Sequence, residues 1–289
     1  MPNLAQTAIT PGAEAPSRSD EVTFGASVML WTVGTELAFD QRLEMVAEAG
    51  YHAVELVGEY QTWSEDDFGR YNEKRRSLGI VFDATASAMV APGRSRHNAS
   101  DPRQRGDFLA DVRADLRMME KVECPDMIVM AGDRMSGLSA HAQHDGRVEA
   151  LTHAAELAEP QGVRILVENV DLEENPEYLA QSTEAVFQLV RDVDRPNVKV
   201  CYDLFHAQLS GGNLIANLER HIDLVGKVHI GDVPGHHEPG TGEINFANIY
   251  KKLAELGYDG YVTMEFLPTG DPVTTLAYAR EAALLAAQS

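Results

Sequence analysis

From Thr23 onward, short runs of β-branched and other apolar residues alternate with longer stretches in which apolar positions recur every three or four residues. The short runs read as strands: TFGASVML, HAVELV, IVFDATA, MIVMAG, VRILVEN, NVKVCYD, GKVHI and YVTMEF. The longer stretches predict helices from about Phe39 to Ala49, Ser64 to Ser77, Arg103 to Val122 and Ser139 to Glu159. Further helices are predicted from Ser182 or Thr183 to Val193, Leu214 to Ile222, Phe246 to Leu256 and Pro272 to Ala287. Four helical stretches stop at a glycine just before the next strand, at Gly50, Gly79, Gly162 and Gly257, as left-handed C-caps do. The strands are apolar throughout rather than alternating, which fits a parallel sheet buried on both faces. Eight strand–helix units in about 265 residues match the size of an α/β fold of the (β/α)8 TIM-barrel kind. A doubly wound open sheet shares this pattern, because periodicity does not reveal closure. No GxGxxG follows the first strand, which weakens a dinucleotide-binding version of that alternative.

Residues 1–21 are rich in Ala, Pro, Ser and Thr with no apolar period. They predict a disordered or loosely docked tail, leaving 22–289 as a single TIM-barrel catalytic domain.

Chemistry gathers at strand ends. Strands five to eight close on Glu168, Asp203, His229 and Glu265, each a polar residue ending an apolar run and each about one unit from the next. In a barrel, these positions face one rim and converge. Three carboxylates held together repel one another unless something cationic lies between them. One imidazole with three carboxylates suits a single divalent ion, Mn²⁺, Mg²⁺ or Co²⁺, with Zn²⁺ also permitted. Taken singly, any of these acids is also what a helix N-cap or a strand-end ion pair requires. The stretch from Val228 to Phe246 follows directly, carrying Asp232, His236 and His237 among prolines and glycines that exclude helix and sheet. It reads as the rim of an active site. His206, three residues beyond Asp203, points at the same rim or packs as a satisfied histidine. Glu174 and Asp171 either reach a substrate or belong to a solvated acidic loop. Trp31 either floors the pocket or joins the core. His97 and its neighbouring arginines lie in a long third loop that suits a lid.

Composition narrows the partners. A net charge of −21 repels nucleic acid and acidic lipid over most of the surface, so neither is an expected partner. No apolar run is long enough to span a bilayer and no secretory segment opens the chain, so a cytoplasmic location is expected. Cys124 and Cys201 sit in or beside apolar runs and read as buried, reduced thiols.

These motifs carry a resemblance. VPGHHEPGTGEINF resembles the loop after the seventh strand, and YDLFHAQ the sixth-strand motif, of the xylose isomerase-like TIM barrels. Within that superfamily the chain is most similar to the hydroxypyruvate isomerase family, with ketose 3-epimerases as neighbours. AGYHAVELV, MAGDRMSG, RPNVKV and GYDGYVTMEFLPTGD also resemble their counterparts, so the similarity spans roughly residues 23 to 285. By this resemblance Glu168, Asp203, His229 and Glu265 match the metal ligands. Glu168 and Glu265 match the catalytic pair that also moves protons, and His206 matches a substrate-contacting histidine. One position departs: the family usually has an arginine after Pro-Gly, where this chain has Pro234, Gly235 and His236. That arginine is implicated in holding the substrate's polar end. An imidazole cannot reproduce its two-pronged grip on a carboxylate, so the departure shifts the expectation towards a neutral sugar.

The reading is therefore a divalent-metal-dependent sugar isomerase or epimerase that forms an enediolate in a small hydroxy-carbonyl carbohydrate, with a homo-oligomer compatible. The same groups serve a lyase or deglycosidase acting on a keto sugar derivative. An endonuclease IV-like phosphodiesterase would need more histidines and a basic face, and a non-catalytic sugar-binding barrel would tolerate loss of the acids.

Overall fold

The structure is a computed structural model that describes residues 22–87, 97–171 and 173–289. The expected tail at 1–21 and most of the expected third-loop lid lie outside the described residues.

Eight strands form a closed barrel: β1 (Gly25–Met29), β2 (Ala53–Leu56), β3 (Val81–Ala86), β4 (Asp126–Val129), β5 (Arg164–Glu168), β6 (Val198–Asp203), β7 (Val225–Ile230) and β8 (Tyr261–Met264). Every neighbouring pair is parallel, and β1 closes on β8 with Gly25 opposite Tyr261 and Val28 opposite Met264. Closure eliminates the open doubly wound sheet. The helices are α1 (Phe39–Glu48), α2 (Glu65–Ser77), α3 (Arg105–Val122), α4 (Ala140–Ala158), α5 (Thr183–Val193), α6 (Leu204–Leu209), α7 (Leu214–His221), α8 (Phe246–Glu255) and α9 (Pro272–Ala287). In α8, Phe246, Ile249, Tyr250 and Leu253 are buried at helical spacing, so one stripe packs inward. Burying each such side chain stabilises the fold by roughly 1.5–3 kcal/mol.

The four anticipated glycine caps all adopt positive φ. Glu123 and Asp194 serve as left-handed caps of α3 and α5 without glycine, and no sequence signal marked them. Helix α6 was not anticipated either. At six residues it is too short to show a period, and it exists because Asp203 caps it.

Inside the barrel the layers differ. Leu166 shares a face with Glu168, and Cys201 shares one with Asp203, one step lower along their strands. With Ala84 and Ile128 they form a small apolar cluster separate from the main core. Charged groups fill the rest of the interior.

Candidate active site

The strand ends bring Glu168, Asp203, His229 and Glu265 together, with one ligand atom from each lying within 4.8 Å of the others. His229 Nδ1 stands 2.6 Å from Glu265 Oε2, 3.1 Å from Glu168 Oε1 and 3.8 Å from Asp203 Oδ2. The two oxygens of Asp203 have separate tasks. Oδ1 accepts from the His206 backbone N–H at 2.6 Å and caps α6, while Oδ2 is buried with no hydrogen-bond partner among the described residues. The helix-cap reading of this residue holds for Oδ1, and Oδ2 takes no part in the cap. Asn169 ties the ends of β5 and β6, donating to Asp203 O at 2.9 Å and accepting from Asp203 N at 3.1 Å.

The donor set fits a hard divalent ion. Glu265 Oε2 is buried as Asp203 Oδ2 is, and it meets His229 Nδ1 at 2.6 Å without a well-directed hydrogen bond. Burial pushes the Glu265 carboxyl up to about 8; His229 opposes the rise while Asp203 and Glu168 add to it. A cation between these oxygens removes the same strain that protonation would. Two other groupings fit less well. Cys201 lies near Glu168 and His229, but burial raises its thiol and keeps it protonated. Asp171, Glu174 and His206 also cluster, but Asp171 is already engaged by His206 Nδ1 and by the backbone N–H groups of Glu173 and Glu174. Burial disfavours a charge on His206, yet Asp203, Asp171 and Glu168 outweigh it and push the ring up to about 10.

Beneath the rim lies a chain of groups that sequence reading missed. His229 Nε2 donates to Glu55 Oε2 at 3.0 Å, which fixes the ring with Nδ1 turned to the rim carboxylates. Lys227 Nζ lies 3.1 Å from Glu55 Oε2 and bonds Asp83, which accepts from Ser27 Oγ at 2.7 Å. Glu55, Asp83, Lys227 and His229 are all essentially inaccessible to solvent. Burial works against the Glu55 carboxylate, but His229 and Lys227 prevail and hold it below its ordinary value. Burial likewise works against Lys227, and Asp83 and Glu55 keep it charged. The signal was present as charged residues inside apolar strands, in AVEL, VFDATA and VGKVHI. Glu55→Gln turns an acceptor-only group into one that can present an amide N–H₂, freeing the His229 ring to rotate. Divalent-metal affinity measured by calorimetry is expected to fall roughly 10- to 100-fold, the usual cost of losing such a partner. Unchanged affinity would show that Glu55 does not orient the ligand.

A cavity of about 830 Å³ opens on this rim, lined by Trp31, Glu168, Glu174, His206 and Glu265 among others. Trp31 is part of its wall, with Nε1 3.3 Å from Glu265 Oε1. Asp171 does not reach into it. Buried, it bonds His206 Nδ1 at 2.7 Å and accepts from the backbone of Glu173 and Glu174, which fixes the ring with Nε2 towards the cavity. Glu174 Oε2 is 3.6 Å from that Nε2 and half-exposed.

The rim loop is organised differently from the expectation. Asp232 is a fully buried hub, accepting from the backbone N–H of Val233, Gly240, Gly242 and Ile244. The His237 ring is held by Leu267 O at 2.8 Å. His236, at φ 55°, stacks on Phe205 with ring centroids 4.0 Å apart, and its ring centroid is 6.3 Å from that of His206. A Cβ on Gly231 would strike the His236 ring, so the glycine makes room for it. His97 pairs with Asp111 on α3.

The fold and this rim define a class: closed (β/α)8 barrels whose last four strands present one imidazole and three carboxylates to a shared point. The family model for xylose isomerase-like TIM barrels matches residues 43–287, and the chain belongs to that family. It is 32% identical to the 2-oxo-tetronate isomerase of Haemophilus influenzae, over 83% of this chain and 92% of that one. It is 26% identical to the hydroxypyruvate isomerase of Escherichia coli, over 81% and 89%. Among solved structures it resembles an AP endonuclease, family 2, from Brucella melitensis (TM-score 0.80, 27% identity, 89% of this chain and 99% of that one). It shares its fold with a D-psicose 3-epimerase from Clostridium cellulolyticum H10 (TM-score 0.73, 21% identity, 92% and 96%). Among the described residues, no helix is long and apolar enough to cross a membrane.

Proposed function

We propose that this protein is a divalent-metal-dependent isomerase of a short hydroxy-carbonyl acid, moving a proton between adjacent carbons. The observation that carries the reading is the pair Glu168 and Glu265. Both lie beside His229 Nδ1 and line one cavity. Glu168, Asp203, His229 and Glu265 would hold the ion, which when bound supplies the positive charge that stabilises negative charge on substrate oxygen. One glutamate takes the proton from the carbon bearing the hydroxyl, and the electron pair shifts towards the carbonyl oxygen. The other glutamate returns a proton to the former carbonyl carbon while the hydroxyl proton passes to the former carbonyl oxygen, so that carbonyl and hydroxyl exchange places. His206 Nε2 donates to a substrate oxygen, and its charge favours the oxyanionic form over the neutral ketone. Trp31 supplies a flat apolar wall that limits water.

The curated relatives named above act on 2-oxo acids bearing hydroxyl groups, which supports that substrate class. The absence of the arginine at position 236 favours a second reading, a neutral ketose epimerised or isomerised by the same pair. The position does not decide the matter, because the His236 ring packs on Phe205. A net charge of −21 disfavours DNA as substrate. The test is turnover in D₂O by the Mn²⁺-loaded protein, followed by NMR with hydroxypyruvate, D-erythrulose and a panel of ketoses. The expected result is an isomeric product whose new C–H bond carries deuterium wherever the shuttled proton exchanges with solvent. No isomer and no exchange from any of these compounds would overturn the reading.

A further inference from the structure

Two donors on the cavity wall remain unused by this mechanism. Arg42, on α1, is buried, and its Nη2 donates to Leu30 O and to Glu59 Oε1 at 3.4 Å. Its Nε is buried with no hydrogen-bond partner among the described residues. Gln61, in the short helical turn Glu59–Thr62 after β2, likewise has a buried Nε2 without a partner. Both residues line the same cavity as Glu168, His206 and Glu265. The Arg42 guanidinium sits on the carbonyl of Leu30. The next residue, Trp31, reaches Glu265, so Arg42 braces the segment that carries this wall residue.

The cavity is polarised by the topology. In a closed barrel of this strand order, β1 and β2 lie across from β5 and β6. Glu168, Glu174 and His206 belong to the β5–β6 side, and Arg42 and Gln61 to the β1–β2 side. A substrate carboxylate turned towards Glu168 and Glu174 meets like charge at short range. Turned towards Arg42 and Gln61, it meets the Gln61 amide and a guanidinium that already shares one edge with Glu59 and keeps its other edge free of that pair. Leaving such donors buried and unpaired is destabilising, and a bound anion relieves it.

We propose that Arg42 and Gln61 form the anchor for the substrate's carboxylate, taking the place of the arginine that the rim loop lacks. This rests on the isomerase reading above and names the group that selects a 2-oxo acid over the corresponding ketose. Arg42 also joins α1 to the end of β1, so its removal tests packing as well as recognition. A ratio separates the two.

Hydroxypyruvate and dihydroxyacetone differ only in a carboxylate replaced by a hydroxymethyl group, and both would be assayed with the Mn²⁺-loaded protein. Loss of folded protein lowers both kcat/KM values together and leaves their ratio unchanged. In Arg42→Met the acid-to-ketose ratio should fall roughly 10- to 100-fold, with partial recovery in Arg42→Lys. Gln61→Glu, which puts a carboxylate at the anchor while leaving Arg42 in place, should lower the ratio in the same direction. Ratios within about threefold of the parent in both Arg42→Met and Gln61→Glu overturn the anchor. If the parent turns over neither compound, the isomerase reading fails and the anchor is judged by calorimetry. Hydroxypyruvate must then bind at least about tenfold more weakly to Arg42→Met than to the parent. Equal binding overturns the anchor too.

Discussion

Glu168→Gln and Glu265→Gln are each expected to lower turnover of any true substrate by about 10²- to 10⁴-fold, the usual contribution of a positioned acid or base. The exchange is nearly isosteric, so packing around Glu265, which is 6% exposed, should persist. What changes is proton affinity, since an amide takes up no proton near neutral pH. Both residues also belong to the ligand set, so metal content must be measured alongside rate. Lost turnover with retained metal assigns the residue to proton transfer, whereas loss of both assigns it to holding the ion. Turnover within about tenfold of the parent would remove that glutamate from the acid–base role.

Asp203→Asn is the second large effect, and the division of labour between the two oxygens makes it informative. Asparagine caps a helix as well as aspartate, so its side-chain oxygen can still accept from His206 N–H and α6 should survive. Its NH₂ would then occupy the place of Oδ2, facing His229 and the carboxylates, where it offers no lone pair. Bound divalent metal, measured by elemental analysis after dialysis, should fall sharply. In the parent, an ion at a hundred times its Kd stabilises the fold by about 2.7 kcal/mol. At about 2–4 °C per kcal/mol, chelation should lower Tm by roughly 5–10 °C. Chelation should leave Tm of Asp203→Asn nearly unchanged. Full stoichiometric metal in that variant would show that the ligand set is wrong.

The barrel and the rim quartet were legible because each rests on local pattern. Apolar runs, glycine stops and four polar residues at successive strand ends are properties of the linear chain, and right-handed parallel connection carries them to one rim. What lay beyond reach depended on registration between distant strands. Asp232 looked like a chemical group beside His229, but the backbone of its own loop turns four N–H groups onto it. Asp171 looked like a substrate contact, and its position beside His206 makes it that ring's anchor.

The deepest difference concerns charge. The sequence alone determined the strand–helix alternation, closure-compatible length, and which four residues end the last four strands, because short apolar runs and a period of 3.6 are written in side-chain polarity. Only the tertiary structure decided that Glu55, Asp83 and Lys227 meet inside the barrel and orient His229, since their partners lie up to 174 residues away in the chain. It alone set Arg42, from a helix outside the barrel, on the wall of the cavity. A buried charge is tolerable only with a partner, and strand pairing, which the linear order does not state, supplies that partner.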